Sequence, residues 1–239
     1  MKSSLNYIDY GNAQKGTIVL LHGWGQNIEM MDMLGRPFAQ DFRIIVLDLP
    51  GFGLSKEPKN SMNVTEYADF LNDFLTKLNV HNPILIGHSF GGRIAISYAS
   101  RYETKKIVLL SAPFRPNPRK KVSYKTRIYK MVKKIKCLSG LSNYLRNKWG
   151  STDYRNASEI NRQTLVKVVN EDLTESAKNI KCPSLLIYGA EDKDVLISEA
   201  KELERLIADA GLVIYPNAHH YAYLERLNQT ITILQNFFE

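Results

Sequence analysis

Short apolar runs alternate with longer amphipathic stretches along the chain, and this alternation limits the possible folds more than any other feature. Six runs have the character of buried strands: 17–23, 43–51, 83–89, 106–113, 184–192 and 211–220. Helical patterns cover 64–79, 90–101, 198–210 and 226–238. Near-continuous apolar strands separated by helices are typical of a parallel sheet covered on both faces. The sequence therefore predicts a mostly parallel, doubly wound α/β sheet, with "LNYIDYG" (5–11) as an edge hairpin strand.

One long stretch interrupts this alternation. Between about Phe114 and Lys178 there is no strand pattern, only a proline-rich start followed by polar sequence with helical character. A plain connecting loop of that length is uncommon in a compact domain. We therefore predict a helical subdomain inserted over residues 114–178, while residues 1–113 and 179–239 together form one α/β core.

The positive charge of the chain is concentrated in this insertion. The net charge is +8, and residues 115–150 contain twelve Lys or Arg and no Asp or Glu, so setting these twelve aside leaves −4. The simplest interpretation is a solvated helix face, because the apolar residues of 119–136 lie at roughly helical spacing. A basic amphipathic helix also suits a negatively charged partner or an anionic lipid surface. Nucleic acid is not expected, since no nucleic-acid-binding motif accompanies the charge.

Composition favours an ordinary soluble protein. No apolar stretch approaches the roughly 18 residues of a membrane span, and the first fifteen residues lack the apolar segment of a secretory signal. Cys137 and Cys182 match no metal-binding or redox spacing, and the phosphate-binding pattern G-x-x-x-x-G-K-[ST] is absent. We expect a cytoplasmic protein with reduced thiols, no metal and no cofactor. The sequence carries no signal for an oligomeric state.

A serine stands between two glycines where an apolar run changes into a helical pattern. Gly87, Ser89 and Gly91 in "GHSFGG" fit G-x-S-x-G, a strand–turn–helix elbow that lifts a serine hydroxyl above the end of its strand. Glycine is needed at both flanking positions because the backbone there passes too close to its neighbours for side chains. A serine hydroxyl needs a base to act as a nucleophile. The pattern therefore predicts Ser89 as a nucleophile whose partners lie elsewhere in the chain.

Candidate partners of this serine follow the last two predicted strands. His219 and His220 end the run 211–220, and the carboxylates at the end of the preceding run are Glu191, Asp192 and Asp194. The carboxyl ends of parallel strands meet at one edge of a sheet, where ligands bind in open α/β folds. The order serine, acid, histidine along the chain is the one that accompanies this type of elbow.

Five short motifs resemble those of the α/β-hydrolase superfamily, and the resemblance covers almost the whole chain. They are "HGWG" (22–25), "DLPGFGLS" (48–55), "GHSFGG" (87–92), "GAEDKDV" (189–195) and "HHYAYLE" (219–225). The acid of that superfamily usually stands in G-x-x-D-x-x-V, which selects Asp192. Its histidine usually stands in G-H-x-x-x-L-E, which selects His220, with His219 in place of the glycine. Asp194 and Glu191 stay as alternatives for the acid, and His219 stays as the alternative base.

The resemblance implies an α/β-hydrolase fold with a helical cap and a serine mechanism. Ser89 would attack a carbonyl group, His220 would take and return the proton, and Asp192 would orient the imidazole. The backbone N–H groups of Trp24 and Phe90 would form the oxyanion hole. Serine rather than aspartate at the elbow argues against haloalkane and epoxide hydrolysis, so a small carboxylic ester is the expected substrate. The alternatives are a thioesterase, a carbon–carbon bond hydrolase and a non-catalytic small-molecule receptor.

The resemblance also suggests a partner for the basic part of the cap. The superfamily includes a methyl ester esterase that acts on a pimeloyl group held by an acyl carrier protein, with a similar "HGWG" start and a basic cap. We therefore hypothesise that residues 115–150 dock an acidic acyl carrier protein, with an anionic lipid surface as the alternative.

Two charged residues near these motifs are given structural roles. Asp48 opens "DLPGFGLS" and is expected to stabilise that turn. Arg93 lies one helical turn past the elbow, close enough to touch a substrate. A structural ion pair is the favoured interpretation of Arg93.

Overall fold

The computed structural model of the protein describes residues 5–116 and 157–239. One sheet of seven strands runs through them: β1 Tyr7–Gly11, β2 Thr17–Leu21, β3 Arg43–Leu47, β4 Ile84–His88, β5 Lys106–Leu110, β6 Ser184–Gly189 and β7 Ala210–Tyr215. Their order across the sheet is β1-β3-β2-β4-β5-β6-β7. Only β1 is antiparallel to its neighbour among these strands. The prediction of a mostly parallel sheet is confirmed.

Helices connect the strands and cover both faces of the sheet. In the described ranges they are α1 Ile28–Gly35, α2 Val64–Lys77, α3 Phe90–Ala99, α4 Glu159–Asn170, α5 Thr174–Lys178, α6 Ile197–Leu206, α7 Ala222–Glu225 and α8 Leu227–Phe238. A short 3-10 turn, Arg36–Phe38, follows α1. Asn63 caps the start of α2, because its side chain accepts from the Glu66 backbone N–H while the Glu66 side chain accepts from the Asn63 backbone N–H. The four predicted helical stretches all form, and the doubly wound arrangement is confirmed.

Alternate side chains of the central strands enter two separate apolar cores. On β2, Val19 and Leu21 lie in a cluster that includes residues of α2 and α3. The side chains between them, Ile18 and Leu20, lie in a second cluster with residues of α1 and α8. All four are fully buried. Burial on both faces explains why these strands are continuous apolar runs rather than alternating ones.

The first strand lies at the edge of the sheet, as predicted, but the hairpin prediction was wrong. β1 pairs with β3, with Tyr7 opposite Leu47, and not with β2, which follows it in the chain. Both sides of β2 are already paired with parallel strands, β3 on one side and β4 on the other. After β1 the chain therefore skips the position that β3 later fills and enters the centre of the sheet as β2.

The predicted insertion is described only at its two ends. Residues 117–156, which include Cys137 and almost all of the basic segment, lie outside the described residues, so the inserted subdomain stays a prediction. The described ends are joined, because the backbone N–H of Leu173 donates to the carbonyl of Phe114 at 2.7 Å. The carboxylate of Glu171 accepts from the backbone N–H of Val64 at 2.7 Å and so caps α2. Within the described ranges, no helix has the length and apolar character needed to cross a bilayer.

The strand order reverses direction at β2. The chain moves from β2 to β3 on one side and later places β4 on the other side. In open α/β sheets, ligands bind in the crevice at the carboxyl ends of the strands where the order reverses. The ends of β2 and β4 carry the "HGWG" and "GHSFGG" motifs, so the topology places both motifs at this crevice.

Candidate active site

The turn between β4 and α3 holds Ser89 in a strained conformation. Its φ is +48° and its ψ is −107°, a region that residues with a Cβ rarely adopt. The backbone N–H of Ser89 donates to Leu110 of β5 at 2.9 Å, and its carbonyl accepts from Arg93 at 3.1 Å. Strain of this kind persists where the surrounding structure enforces it, and it is concentrated at functional sites.

Both glycines of the elbow are required by the packing of the main chain. A Cβ on Gly87 would lie 2.5 Å from the carbonyl oxygen of Gly91, and a Cβ on Gly91 would overlap the carbonyl oxygen of Leu21. The backbone N–H of Gly91 also donates to the carbonyl of His22 at 3.1 Å. The close approach that the sequence pattern predicts is therefore present on both sides of Ser89.

Three side chains from different parts of the chain form one hydrogen-bonded series at this edge. The Oγ of Ser89 lies 3.0 Å from Nε2 of His220, and Nδ1 of His220 lies 2.8 Å from Oδ2 of Asp192. The other carboxylate oxygen of Asp192 accepts from the backbone N–H groups of Asp194 at 2.8 Å and Val195 at 3.0 Å. A carboxylate only accepts, so Nδ1 of His220 carries the proton, and Nε2 is left to accept the serine proton.

The environment of Asp192 keeps it ionised. Its side chain is completely buried, and burial alone would raise the pKa of this carboxyl. The hydrogen bond and charge of His220, with the backbone N–H groups of Val195 and Asp194, outweigh burial, so the pKa of Asp192 lies below its ordinary value. An anion fixed beside Nδ1 stabilises a proton on the imidazole. The arrangement therefore supports transfer of a proton from the serine hydroxyl to His220.

Of the alternative residues, Asp194 lies at the same edge, with a carboxylate oxygen within 4.8 Å of ligand atoms on Asp192 and His220, whereas His219 and Glu191 contact each other. His219 is more than half exposed, with Nδ1 3.3 Å from Glu225 and Nε2 3.6 Å from Glu191. Glu191 therefore faces His219 and not His220. The structure brings His220, rather than its neighbour, to Ser89.

The two residues expected to supply the oxyanion hole contact each other, and one of them, Phe90, directly follows the serine. Trp24 is in the loop after β2, and Phe90 is the first residue of α3. Their rings pack together with centroids 5.4 Å apart, and Trp24 also packs against Phe52 at 4.8 Å. Among the residues in 5–116 and 157–239, no acceptor is bound to either backbone N–H. Phe90 stands at the N-terminus of α3, where unpaired N–H groups favour an anion.

The same acidic edge has ligand atoms that could hold a metal. Asp192, Asp194 and His220 each offer one atom, and these atoms lie within 4.8 Å of one another. However, Nδ1 of His220 and Oδ2 of Asp192 are already hydrogen-bonded to each other. This hydrogen bond orients the His220 imidazole as a base.

Asp48 holds its turn as expected, and Arg93 does not form the expected ion pair. The carboxylate of Asp48 accepts from the backbone of Ile28 and of Leu54, each at 2.8 Å. Arg93 is buried and donates to the carbonyls of Pro113, at 3.0 Å, and Glu171. No ion pair to Arg93 is formed in the described ranges, and its buried Nε has no hydrogen-bond partner there. Burial lowers the pKa of Arg93 to about 10, so it stays protonated at neutral pH.

Sequence reasoning missed one polar residue at the site. The side-chain oxygen of Gln26 accepts from the backbone N–H of Gly23 at 2.9 Å, and its nitrogen donates to the Tyr221 hydroxyl at 3.1 Å. These contacts join the loop after β2 to the loop after β7. Gln26 directly follows "HGWG", but no local pattern shows what it contacts across the fold.

Comparison with known proteins gives three results. A family model described as the alpha/beta hydrolase fold matches residues 16–127. The AB hydrolase superfamily protein YisY of Bacillus subtilis is 30% identical over 243 residues, which cover 92% of this chain and 90% of that protein. Two solved structures share the fold, each aligned over 98% of this chain. An esterase from Exiguobacterium antarcticum has a TM-score of 0.76 at 20% identity over 95% of its chain. An enol-lactonase from Burkholderia xenovorans has a TM-score of 0.77 at 21% identity over 94% of its chain.

Proposed function

The chain belongs to the α/β-hydrolase family, and on that basis we propose that it is a serine hydrolase acting on a carboxylic ester. The observation that carries the proposal is the hydrogen-bonded series from Ser89 through His220 to Asp192. A strained serine, an oriented imidazole and a buried carboxylate are the parts that nucleophilic acyl transfer needs. The esterase with the same fold supports the choice of reaction class.

In the proposed first half-reaction, Ser89 forms an ester with the acyl group. Its Oγ attacks the carbonyl carbon while Nε2 of His220 takes the hydroxyl proton, and Asp192 stabilises the resulting imidazolium. The oxyanion of the tetrahedral intermediate accepts from the backbone N–H groups of Trp24 and Phe90. Removing one such donor typically costs about 10²–10³ in rate. The bond to the alcohol then breaks, and His220 gives its proton to the leaving oxygen.

The second half-reaction restores the enzyme. A water molecule takes the place of the alcohol, and Nε2 of His220 removes its proton as the water oxygen attacks the acyl carbon. The tetrahedral intermediate collapses, the bond to Ser89 Oγ breaks, and His220 returns the proton to the serine. The products are a carboxylic acid and free enzyme.

Hydrolysis of a p-nitrophenyl ester series from acetate to palmitate tests this proposal, with wild type and Ser89→Ala compared side by side. We expect turnover by wild type and a fall of about 10⁴–10⁶ in kcat for the variant. The chain-length optimum then measures the acyl site. Equal rates for the two proteins would contradict Ser89 as the nucleophile.

A fluorophosphonate probe and an acyl thioester separate the remaining alternatives. If the probe labels Ser89 and the protein hydrolyses the thioester but no ester, the protein is a thioesterase. Labelling without turnover of either would favour a carbon–carbon bond hydrolase. Absence of both labelling and turnover would favour a non-catalytic receptor.

We also propose that an acidic acyl carrier protein presents the substrate to the basic segment 115–150. The support is its twelve cations without one acidic residue. Raising NaCl from about 0.05 to about 0.5 M screens such contacts. We expect kcat/KM for a carrier-linked ester to fall steeply while that for p-nitrophenyl butyrate stays constant. A carrier reaction whose rate does not depend on salt would contradict the proposal. If only esters in anionic vesicles are hydrolysed faster at low salt, the partner is a lipid surface and not a carrier protein.

A further inference from the structure

A second histidine lies directly before the nucleophile and is packed among aromatic rings. His88 ends β4 and is 1% exposed. Its ring centroid lies 5.0 Å from that of His220, 5.1 Å from that of Tyr221 and 5.0 Å from that of Tyr223. A phenylalanine would provide the same ring packing. The two nitrogen atoms of His88 therefore need a separate explanation.

One nitrogen of His88 binds the main chain of the proposed base. Its Nε2 lies 3.1 Å from the backbone carbonyl oxygen of His220. A carbonyl oxygen only accepts, so Nε2 carries the proton and donates. Burial, followed by the nearby His220 imidazole, lowers the pKa of His88 to about 3. His88 is therefore a neutral donor at the pH where ester hydrolysis is measured.

The other nitrogen packs against the side chain that joins two loops of the site. Nδ1 of His88 lies 3.3 Å from Oε1 of Gln26, an oxygen that already accepts from the Gly23 backbone at 2.9 Å. A Cβ on Gly23 would lie 2.8 Å from Nδ1 of His88 and 3.0 Å from Oε1 of Gln26. The Gln26 nitrogen donates to Tyr221, which follows His220 in the chain. Nδ1 of His88 and Oε1 of Gln26 are both acceptors when Nε2 carries the proton, so their contact is packing and not a hydrogen bond. Gln26 therefore ties the Trp24 loop to the His220 loop, and His88 ties the His220 main chain to the strand that ends before Ser89.

We infer that His88 and Gln26 are positioning residues that fix the His220 imidazole and the Trp24 backbone relative to Ser89. The inference rests on the proposed function, because it assigns the groups that support the base in that reaction. A catalytic group must be held within about 0.5 Å of its productive position by residues that are themselves locked by packing and hydrogen bonds. His88 is locked by three rings and holds the His220 main chain through one hydrogen bond.

The need for a neutral donor explains why the support is a histidine. A second positive charge 5.0 Å from the His220 ring would oppose formation of the imidazolium that the reaction requires. Lysine or arginine would donate to the carbonyl but would bring that charge. The titratable groups that face His88 are His22, Asp192, His220, Tyr221 and Tyr223.

His88→Phe separates the hydrogen bond from the ring packing. We expect kcat for a p-nitrophenyl ester to fall roughly 10- to 100-fold, the usual cost of losing an orienting partner or displacing a catalytic group by about 1 Å. KM should change little, because the substrate site is untouched. His88→Gln can again donate to the carbonyl and should recover part of kcat. Tyr221→Phe removes only the hydroxyl that Gln26 binds and should give a smaller loss of the same kind.

Two further readouts distinguish positioning from a general effect on stability. The deshielded proton NMR resonance of His220 Nδ1–H should shift or broaden in His88→Phe, and the acid limb of kcat/KM against pH should move with it. His81→Phe, which replaces an exposed histidine, should leave both unchanged. If His88→Phe unfolds, His88→Gln and Tyr221→Phe provide the same comparison. A lower Tm with unchanged kcat, pH profile and resonance would overturn the inference.

The design keeps failure of this inference apart from failure of the proposed function. Wild-type turnover that is lost in Ser89→Ala establishes the reaction, and His88→Phe then tests positioning alone. If wild type hydrolyses no ester, the proposed function fails, but the Nδ1–H resonance of His220 still reports whether His88 holds the base against Asp192.

Discussion

Two turns meet at the carboxyl edge of the sheet, and they are held in different ways. The elbow around Ser89 is fixed by main-chain packing, since a side chain on Gly87 or Gly91 would collide with backbone atoms. The loop after β7 places His220 by side-chain hydrogen bonds, to Asp192 at one end and from His88 at the other. The elbow should therefore tolerate no added volume, whereas the histidine loop should depend on the identity of a few polar atoms.

The largest effect should separate the two adjacent histidines of that loop. His220→Ala removes the proposed base, and we expect kcat/KM to fall by about 10⁴–10⁶. His219→Ala removes an exposed ring that contacts Glu191 and Glu225, so its effect should stay within about threefold. Steady-state hydrolysis of one p-nitrophenyl ester by both variants gives the comparison. Similar losses in the two variants would mean that the loop acts as a unit and not through one imidazole.

Asp192→Asn should have the next largest effect. The amide nitrogen of asparagine favours the wrong tautomer of His220, and the same change in a serine protease triad lowers kcat about 10⁴-fold. The variant retains an oxygen for the backbone N–H groups of Asp194 and Val195, so Tm should change little. Rate and thermal unfolding are measured on the same sample. A rate close to that of wild type would show that Asp192 does not orient the base.

The sequence predicted the elbow better than the loop because the elbow's constraint is local. Gly87, Ser89 and Gly91 lie within five residues, and their packing follows from the turn itself. The choice between His219 and His220 came from resemblance, and their contacts separate them geometrically, since His220 contacts Ser89 and His219 contacts Glu225.

Contacts between distant parts of the chain were beyond sequence reasoning. Gln26 and His88 are 62 residues apart, and Arg93 and the Glu171 carbonyl are 78 apart. The sheet itself was predictable because its strands are continuous apolar runs. The pairing of β1 with β3 was not, since strand neighbours depend on which edges are already occupied. Helix α1 was also missed, because its eight residues are too short for a clear periodicity.

A smaller effect, on stability rather than rate, tests the main-chain packing of the elbow. Gly91→Ala would place a methyl group against the Leu21 carbonyl, and we expect a loss of roughly 3 kcal/mol in the free energy of unfolding. Gly211→Ala is the matched control, because nothing lies within 4 Å of a Cβ there, and it should change stability by less than about 0.5 kcal/mol. Urea unfolding of both variants measures the difference. Equal stabilities would show that the elbow relaxes around added volume.

The smallest expected effect is on the stability at low pH, and it depends on His88, which contacts both turns. Burial lowers the pKa of His88 from 6.5 to about 3, so the unfolded chain takes up a proton below pH 6.5 that the folded chain refuses. Stability from this group is present above pH 6.5 and is lost as pH falls towards 3. His88→Phe should therefore lose less stability than wild type between about pH 7.5 and about pH 5.

Urea unfolding at the two pH values measures how much stability is lost between them. This difference does not depend on any change in stability that the substitution causes equally at both pH values. His81→Phe should keep the wild-type difference because its ring is exposed. The buried His22, whose pKa is also lowered by burial, keeps part of the acid sensitivity in every variant. An unchanged pH dependence of stability in His88→Phe would mean that His88 takes up a proton as readily in the folded protein as in the unfolded chain. Below about pH 6.5 its charge would then oppose the His220 imidazolium, so the elbow would destabilise the protonated form of the base that the histidine loop carries.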